Sequence, residues 1–291
     1  MFHLYLPQMR MSLQTLAERA QVAEAVGFEG ISLMDHLAPP LAMDQPMHEA
    51  ITTAMWLAAH TTTLKIGHLV LCDAFRHPAV LARQVVDLDH ASGGRFELGL
   101  GWGSVPDELV QFGVTDARPP ARLRRLRESV EVIEALFTGE PVDYDGEFHH
   151  LTGAVQRPTP QGAVPLIIGG AGPGALDLAA GHATWWNLPT YAAARLDELL
   201  PQAAPARASV QQMIAFVPSE TERAGITELA MRRFGAMGDG LVIGTADELV
   251  DQYRELAQRG VERFYVWFTD FAQPHTLTAF AADVIGPVTQ A

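Results

Sequence analysis

Apolar runs that are typical of strands alternate with segments of helical period along the 291-residue chain. Several runs are continuously apolar, as expected for parallel strands that are covered on both faces of a sheet. The eight predicted strands span 2–6, 29–34, 65–71, 95–100, 164–169, 183–188, 208–216 and 263–268. Eight strands joined by helical crossovers predict an α/β fold, a (β/α)8 barrel, with a doubly wound open sheet as the alternative.

Two of the helical segments carry clear end signals. Ser12 can cap a helix whose apolar positions recur every three or four residues and which ends at Gly27. Near the C-terminus, Thr245 and Glu248 form a capping box, and Gly260 ends that helix before the eighth strand. No low-complexity linker interrupts the alternation, so we expect a single barrel domain over residues 1–291.

The spacing of the strand starts predicts two insertions, after strands four and seven. The first, 101–163, holds a helix with one apolar face from Leu123 to Phe137, followed by a region rich in proline and glycine. The second, 217–262, adds a short helical piece near 222–237. Long loops that follow barrel strands lie beside the active site, so both insertions are candidate lids.

The composition of the chain excludes some classes of binding partner and indicates its cellular location. With 20 basic and 34 acidic residues, the formal charge of −14 argues against nucleic acid or an anionic membrane as the main partner. The single cysteine, Cys72, cannot form an internal disulfide or a thiolate metal cluster, so we expect a reducing compartment, the cytoplasm. The chain starts without a basic region ahead of an apolar stretch, and charged residues or prolines interrupt its apolar segments. We therefore expect neither a secretion signal nor a membrane span.

Several common catalytic motifs are missing from the sequence. It contains no Gly-x-Ser-x-Gly nucleophile elbow and no P-loop. Of the eleven histidines, only His149 and His150 are adjacent, so the sequence predicts no catalytic metal. Glycine at strand ends and one acid-histidine pair remain as candidates.

The fifth strand runs into the glycine-rich turn Gly169-Gly170-Ala171-Gly172, and a proline and an apolar helix follow. Backbone N–H groups at such a turn can approach an anion, and the helix N-terminus adds partial positive charge. The turn is therefore a candidate phosphate site, with a plain tight turn as the simpler interpretation. The sequence of this turn also matches the dinucleotide-binding fingerprint Gly-x-Gly-x-x-Gly/Ala. That match is weak, because no acidic residue ends a following strand about 20 residues later.

Three further features lie near strand ends. The glycines Gly99, Gly101 and Gly103 fit either sterically forced turns or a flat ligand that lies against the backbone. Asp35-His36 ends the second strand, where a barrel enzyme keeps its acid or base, although a lone histidine is more often structural. Five arginines within 118–127 fit a solvated helix face, but basic residues in a first helical turn oppose the helix dipole and suggest a bound anion.

Taken together, these motifs resemble the luciferase-like monooxygenase superfamily. The resemblance is carried by Phe75-Arg76-His77-Pro78, Leu88-Asp89-His90 through Gly94-Arg95-Phe96, Gly99-x-Gly101-x-Gly103, Glu108 with Phe112-Gly113, Gly146 to His149, Arg157-Pro158-x-Pro160-Gln161, Ile168-Gly169-Gly170 and Val242 to Glu248. It covers nearly the whole chain. It implies a bacterial-luciferase-like TIM barrel, usually dimeric, that binds FMN or the deazaflavin coenzyme F420 at the carboxyl-terminal mouth.

The resemblance also implies roles for individual residues. Asp35 and His36 resemble the acid-histidine pair that follows strand two in this superfamily. In the sugar-phosphate F420 dehydrogenases, that histidine lies over the reactive ring carbon of the cofactor. The other implied cofactor contacts are Leu69 and Val70, which resemble the site of a cis peptide bond that backs the ring, Cys72, Gly101, Trp102, Asp107 and the turn of Gly169, Gly170, Ala171 and Gly172. One position departs from the pattern, because the sugar-phosphate dehydrogenases have a glutamate where this chain has Ser104.

The sequence thus predicts a bacterial F420-dependent oxidoreductase, a homodimer that transfers hydride to or from a small organic substrate. In this interpretation His36 supplies or removes a proton. One alternative is a monooxygenase that uses reduced FMN. A second is a flavin-binding subunit without catalytic activity.

Overall fold

Eight parallel strands close into a ring. The structure is a computed structural model that describes residues 1–40, 42–115 and 117–290. The strands are β1 Phe2–Tyr5, β2 Gly30–Leu33, β3 Lys65–His68, β4 Phe96–Gly101, β5 Leu166–Gly169, β6 Trp185–Leu188, β7 Arg207–Phe216 and β8 Val261–Phe268. Each pairs in parallel with the next, and β8 pairs with β1. The ring confirms the predicted (β/α)8 barrel and excludes the open sheet.

Helices cover the outer face of the ring. They are α1 Leu13–Ala25, α2 Ala50–His60, α3 Pro78–Ser92, α4 Pro106–Gln111, α5 Pro119–Phe137, α6 Pro173–His182, α7 Leu196–Ala203, α8 Arg223–Phe234, α9 Ala246–Gln258, α10 Pro274–Phe280 and α11 Gly286–Thr289. The main apolar core lies between these helices and the strands, with side chains such as Leu16, Ile31 and Leu249 fully buried. Burial of both sheet faces accounts for the continuously apolar strand sequences.

The two helices with end signals form as predicted. The Ser12 hydroxyl oxygen accepts the N–H of Thr15 at 3.1 Å, and Gly27 follows α1 with a φ of +98°. At α9, the Glu248 carboxylate accepts the N–H of Thr245 at 2.8 Å. These bonds satisfy amide groups that the first turn of a helix leaves without partners.

Both predicted insertions are present, and each contains strands that the sequence did not predict. After β4 come α4, α5 and an antiparallel hairpin, Val142–Asp145 with His150–Ala154, where only a proline- and glycine-rich region was expected. After β7, the predicted helical piece forms α8, and Leu241–Gly244 then pairs in parallel with the end of β7, outside the ring. The two hairpin strands mix polar and apolar residues and are partly exposed, so they lack the apolar pattern of the ring strands, whereas Leu241–Gly244 is an apolar run that was not predicted as a strand.

An ion pair crosses the interior of the ring. Arg263 on β8 donates to both carboxylate oxygens of Glu97 on β4, at 2.7 and 2.8 Å, and also to the hydroxyl oxygen of Tyr265 at 2.9 Å. The guanidinium lies 3.9 Å from the centre of a Trp185 ring. Since β4 and β8 stand opposite each other in the ring, this pair ties the two sides of the barrel together.

Among the described residues, no helix combines the length and the apolar character that crossing a bilayer would require.

The buried pair generates a stability prediction. Glu97→Gln leaves the fully buried Arg263 charge without a carboxylate, and we expect the free energy of unfolding to fall by about 3–5 kcal/mol. Urea denaturation followed by circular dichroism measures this change. Glu262→Gln is the matched control because Glu262 pairs with Arg207 where both side chains are about half exposed, and it should cost less than about 1 kcal/mol. Equal losses in the two variants would contradict the prediction.

Candidate active site

A cavity of about 630 Å³ opens at the carboxyl ends of the barrel strands. Every predicted site residue lines this cavity except Asp107, which is exposed on α4. Both insertions contribute to the wall, the first through Trp102 to Val105 with Glu108 and Leu109, and the second through Arg233 and Phe234. The structure therefore brings the predicted residues together at one mouth, while their roles in binding stay predictions.

Asp35, which follows β2, has both carboxylate oxygens occupied by groups of the chain. One oxygen accepts the N–H of Cys72 at 2.8 Å, and the Arg76 guanidinium donates to both oxygens, at 2.5 and 3.0 Å. Arg76 donates further to Glu49 at 2.6 Å. Because Asp35 is buried, this charge-assisted pair joins the end of β2 firmly to the segment after β3. Asp35 thus positions the rim and presents no unpaired carboxylate to the cavity.

His36 instead contacts a carboxylate from a different loop. Its Nδ1 lies 2.8 Å from one oxygen of Glu108, at the start of α4. The other Glu108 oxygen accepts the N–H groups of Leu37 and Ala38, at 2.6 and 3.0 Å. This arrangement fixes the imidazole and favours the tautomer with the proton on Nδ1. The second ring nitrogen, Nε2, has no hydrogen-bond partner within the described part of the chain, so His36 can exchange a proton with a molecule in the cavity.

The segment after β3 forms another part of the cavity wall. The sequence predicts one strand over 65–71, but β3 ends at His68, the Leu69–Val70 peptide bond is cis, and Leu71–Cys72 then pairs with β4. The cis bond lies where the family resemblance implies one.

The strand-four glycines make room for this segment. A Cβ built on Gly101 would lie 2.6 Å from Cγ2 of Val70, and one built on Gly99 would overlap the backbone oxygen of His68. These two glycines are therefore required by contact with the chain itself. The sequence left two explanations for these glycines, a steric requirement of the chain or a flat ligand against the backbone. The geometry favours the steric requirement at Gly99 and Gly101.

The turn after β5 has the geometry expected of an anion site. Gly170 has a φ of +142°, its oxygen accepts the indole N–H of Trp186 at 2.8 Å, and its own N–H donates to the backbone oxygen of Asn187 at 3.2 Å. The next two amides, of Ala171 and Gly172, donate to no described residue. Gly172 is the N-cap of α6, so both free N–H groups lie at the positive end of the helix dipole.

The sequence reasoning missed several lining residues. Glu108 was noted only as part of a motif, although it supplies the carboxylate beside His36. Tyr5, Asn187 and Gln211 also line the cavity and come from three different strands. Tyr5 is the last residue of β1 and Asn187 is the last but one of β6, so examining each strand end for polar and aromatic side chains would have found both. Gln211 lies in the middle of β7, and no local signal identifies it.

Cys72 lines the cavity and is almost fully buried. Burial raises the pKa of its thiol to about 12. Its Sγ lies against the backbone of Gly103, where an added Cβ would come within 3.0 Å. The thiol is therefore a neutral packing group at physiological pH.

Known proteins resemble this chain both in sequence and in structure. A model of the luciferase-like monooxygenase family matches residues 2–223. The chain is 34% identical over 160 residues to an F420-dependent glucose-6-phosphate dehydrogenase of Kineococcus radiotolerans, a match that covers 55% of this chain and 47% of that enzyme. It is 35% identical over 164 residues to the enzyme of the same name from Mycobacterium avium, covering 54% and 48%. The chain thus spans about half the length of these curated relatives.

Solved structures resemble the whole chain. An F420-dependent secondary alcohol dehydrogenase in complex with an F420-acetone adduct superposes with a TM-score of 0.86 at 17% identity, covering 99% of this chain and 98% of that one. A riboflavin lyase with modified FMN and riboflavin superposes with a TM-score of 0.83 at 16% identity, covering 99% and 91%. At such identities the likeness establishes the shared barrel fold.

The state of Cys72 can be tested by alkylation. At pH 8 a thiol with a pKa of about 12 is ionised roughly a thousand-fold less than an ordinary cysteine, and only the thiolate reacts. We expect iodoacetamide to modify the native chain at least a thousand-fold more slowly than the urea-unfolded chain, as measured by mass spectrometry. Because Cys72 is the only cysteine, the unfolded chain is the internal control. Native and unfolded rates within ten-fold of each other would contradict the prediction.

Proposed function

The chain belongs to the luciferase-like monooxygenase family, and on that premise we propose that it is an F420-dependent oxidoreductase acting on a small organic substrate. The observation that carries the proposal is that a histidine backed by a carboxylate and a glycine turn with free amides open onto the same cavity. The first is suited to proton transfer, and the second to a phosphate group.

The residues of the cavity fit a phosphorylated, planar cofactor. The cavity volume lies within the range of about 300–1,000 Å³ that is usual for small-molecule sites. The free amides of Ala171 and Gly172 would hold the phosphate, and the wall of Leu69 and Val70 would support one face of the ring. When bound, F420 supplies the ring carbon that gives or accepts a hydride. The chain supplies orientation, exclusion of water and a proton.

His36 is the group that we assign to proton transfer. Oxidation of an alcohol removes a hydride from carbon and a proton from oxygen, and reduction of a carbonyl returns both. In the oxidative direction, Nε2 of His36 takes the hydroxyl proton while Glu108 stabilises the imidazolium that results. In the reductive direction the same nitrogen gives the proton back. Asp35 acts through position, because it fixes the backbone on which His36 stands.

One feature supports F420 rather than FMN, and another limits the choice of substrate. The curated relatives at 34–35% identity are F420-dependent by name, although they match over about half of their length. In the substrate region, Ser104 lines the cavity where the sugar-phosphate dehydrogenases have a glutamate. We therefore do not propose glucose 6-phosphate as the substrate.

A homodimer and a cytoplasmic location belong to the same proposal. The first follows from what is usual in the family, and sedimentation velocity of the purified chain measures it. The second is supported by the single buried cysteine, which suits a reducing compartment.

Titration with the two cofactors tests the proposal. We expect oxidised F420 to bind the purified chain with a saturable change in its fluorescence, because the free amides and the cavity wall match its phosphate and ring. FMN should bind more weakly under the same conditions. Tight binding of FMN without any response to F420 would overturn the choice of cofactor, and the absence of binding by either would overturn the proposal.

Substitution of His36 tests the proton role. We expect His36→Ala to lower kcat by about 10²–10⁴ while the affinity for F420 changes little, since the lost group acts on the proton and not on the cofactor. Glu108→Gln should lower kcat to a smaller extent and alter its pH profile, because His36 then lacks the carboxylate. Steady-state kinetics with a substrate found by screening alcohols and ketones measures both effects.

The control is a second histidine-carboxylate pair of the same geometry. His182 on α6 lies 2.9 Å from Glu134, outside the cavity. His182→Ala should leave kcat unchanged. Unchanged turnover in His36→Ala would remove His36 from the mechanism.

A further inference from the structure

One sector of the large cavity is built from aromatic rings and methionines. Trp267 of β8 and Tyr5 of β1 lie on neighbouring strands, with ring centres 5.3 Å apart and ring planes inclined by 62°. Phe234, the last residue of α8, extends this contact, since its ring centre lies 5.7 Å from that of Trp267. Met9 and Met34, from the segments after β1 and β2, also line the cavity. We call these five residues the apolar wall.

The apolar wall is fixed by its packing and by hydrogen bonds behind it. Four of its five residues, all except Trp267, are more than nine-tenths buried although they line the cavity. The side-chain amide of Gln8, itself buried, donates to the backbone oxygen of Met34 at 2.7 Å and accepts the N–H of Met34 at 3.2 Å. A wall that is already ordered binds a ligand at a lower entropic cost than a mobile one.

The apolar wall lies beside the group that we assign to proton transfer and across from the candidate phosphate turn. Met34 stands two positions before His36, and both line the cavity. The strands that carry the wall, β8, β1 and β2, are consecutive neighbours in the ring. The phosphate turn follows β5, which stands opposite β1. The wall is therefore placed to contact the substrate of His36 and not the phosphate end of a cofactor.

The side chains of the apolar wall favour a flat, uncharged group. Aromatic rings attract a further ring in edge-to-face and offset arrangements. Methionine sulfur makes favourable contacts with ring edges, and its unbranched chain adapts to ligands of different shape. Burial raises the pKa of the Tyr5 phenol above its ordinary value, so the hydroxyl of the wall stays neutral. A charged or polyhydroxylated group would lose its hydration against these side chains at a considerable cost.

The cavity has room for such a group beside a planar cofactor. A cavity of about 150 Å³ is enough to enclose benzene, which is about a quarter of the 630 Å³ found here. Arg10 and Arg233 also line the cavity, but both are exposed, so water solvates their charges. The buried part of the wall thus offers contact to an apolar ring.

We propose that the apolar wall binds a carbon ring of the substrate, so that the substrate is an aryl or cycloalkyl ketone or the corresponding secondary alcohol. The reaction assigned to this substrate rests on the proposed function, whereas binding of the ring requires only the wall. Reduction of such a ketone adds one hydride to the carbonyl carbon and one proton to its oxygen, and it oxidises the reduced F420 that supplies the hydride. The proton comes from His36.

The test uses two variants that each remove one ring and keep an apolar side chain, Trp267→Leu and Phe234→Leu. They lie on different elements, β8 and α8, so one serves if the other does not fold. Phe112→Leu is the matched control, because it is the same change at a ring that is about half exposed and outside the cavity. Circular dichroism establishes the fold of each variant before binding is measured.

Three probes separate the ring from the rest of the ligand. Acetophenone carries a ring and a carbonyl group, acetone carries the carbonyl group alone, and glucose 6-phosphate carries hydroxyl groups and charge. Ligand-observed NMR titration measures their binding to the chain without cofactor, fluorescence titration measures the affinity for F420, and steady-state kinetics with reduced F420 follows both ketones. If wild type does not bind F420, the proposed function fails while the NMR titrations still decide the present inference.

We expect wild type to bind acetophenone at least about ten-fold more tightly than acetone or glucose 6-phosphate. Trp267→Leu and Phe234→Leu should each weaken the binding of acetophenone and raise its KM by about ten-fold. Their kcat, their affinity for acetone and their affinity for F420 should stay as in wild type, because the lost ring contacts neither the proton nor the cofactor. Phe112→Leu should behave as wild type in every measurement.

Three results would overturn the inference. The first is that wild type binds glucose 6-phosphate or acetone as tightly as acetophenone. The second is that both ring variants bind acetophenone as wild type does. The third is that Trp267→Leu loses as much affinity for F420 as for acetophenone, which would assign the apolar wall to the cofactor.

Discussion

Closure of the eight strands is the constraint on which the site depends, and the Arg263–Glu97 pair is the interaction that crosses its centre. The two side chains come from opposite strands, β8 and β4, and lie 166 positions apart in the sequence. With both charges buried, neither can be left unpaired without a large loss of stability. A ring held in this way directs all eight carboxyl ends to one rim. Residues that are scattered through the sequence thereby reach one cavity.

At that rim, the carboxylates of Asp35 and Glu108 have different roles. Asp35 is held by Arg76 and by the N–H of Cys72, so it connects the end of β2 to the segment after β3. Glu108 reaches across from the first insertion to His36 and to the amides that follow it. One carboxylate therefore sets the position of the backbone, and the other sets the orientation and the proton of the imidazole. The sequence suggests that Asp35 and His36 form one acid-histidine pair. In the structure, Asp35 pairs with Arg76, and His36 pairs with Glu108.

One part of the cavity wall carries a positive potential although the chain as a whole is strongly acidic. The amides of Ala171 and Gly172, which line the large cavity, lie at the N-terminus of α6, the helix that follows β5. The local potential there differs in sign from the net charge, because the nearby helix dipole outweighs surface charges that water screens.

The sequence by itself determined the ring strands, the two insertions, the capped helices and the turn after β5, because each of these depends on residues that are close neighbours in the chain. It also carried the family resemblance, through motifs that extend over nearly its whole length. The hairpin strands could not be predicted because they are short, partly exposed and mixed in polarity, whereas the outer strand Leu241–Gly244 is a short apolar run inside an insertion and was not predicted as a strand. Only the tertiary structure decided that the carboxylate beside His36 belongs to Glu108. Contacts between residues 72 positions apart, such as His36 and Glu108, depend on how the barrel closes and how its loops fold back, and no local pattern encodes that distance.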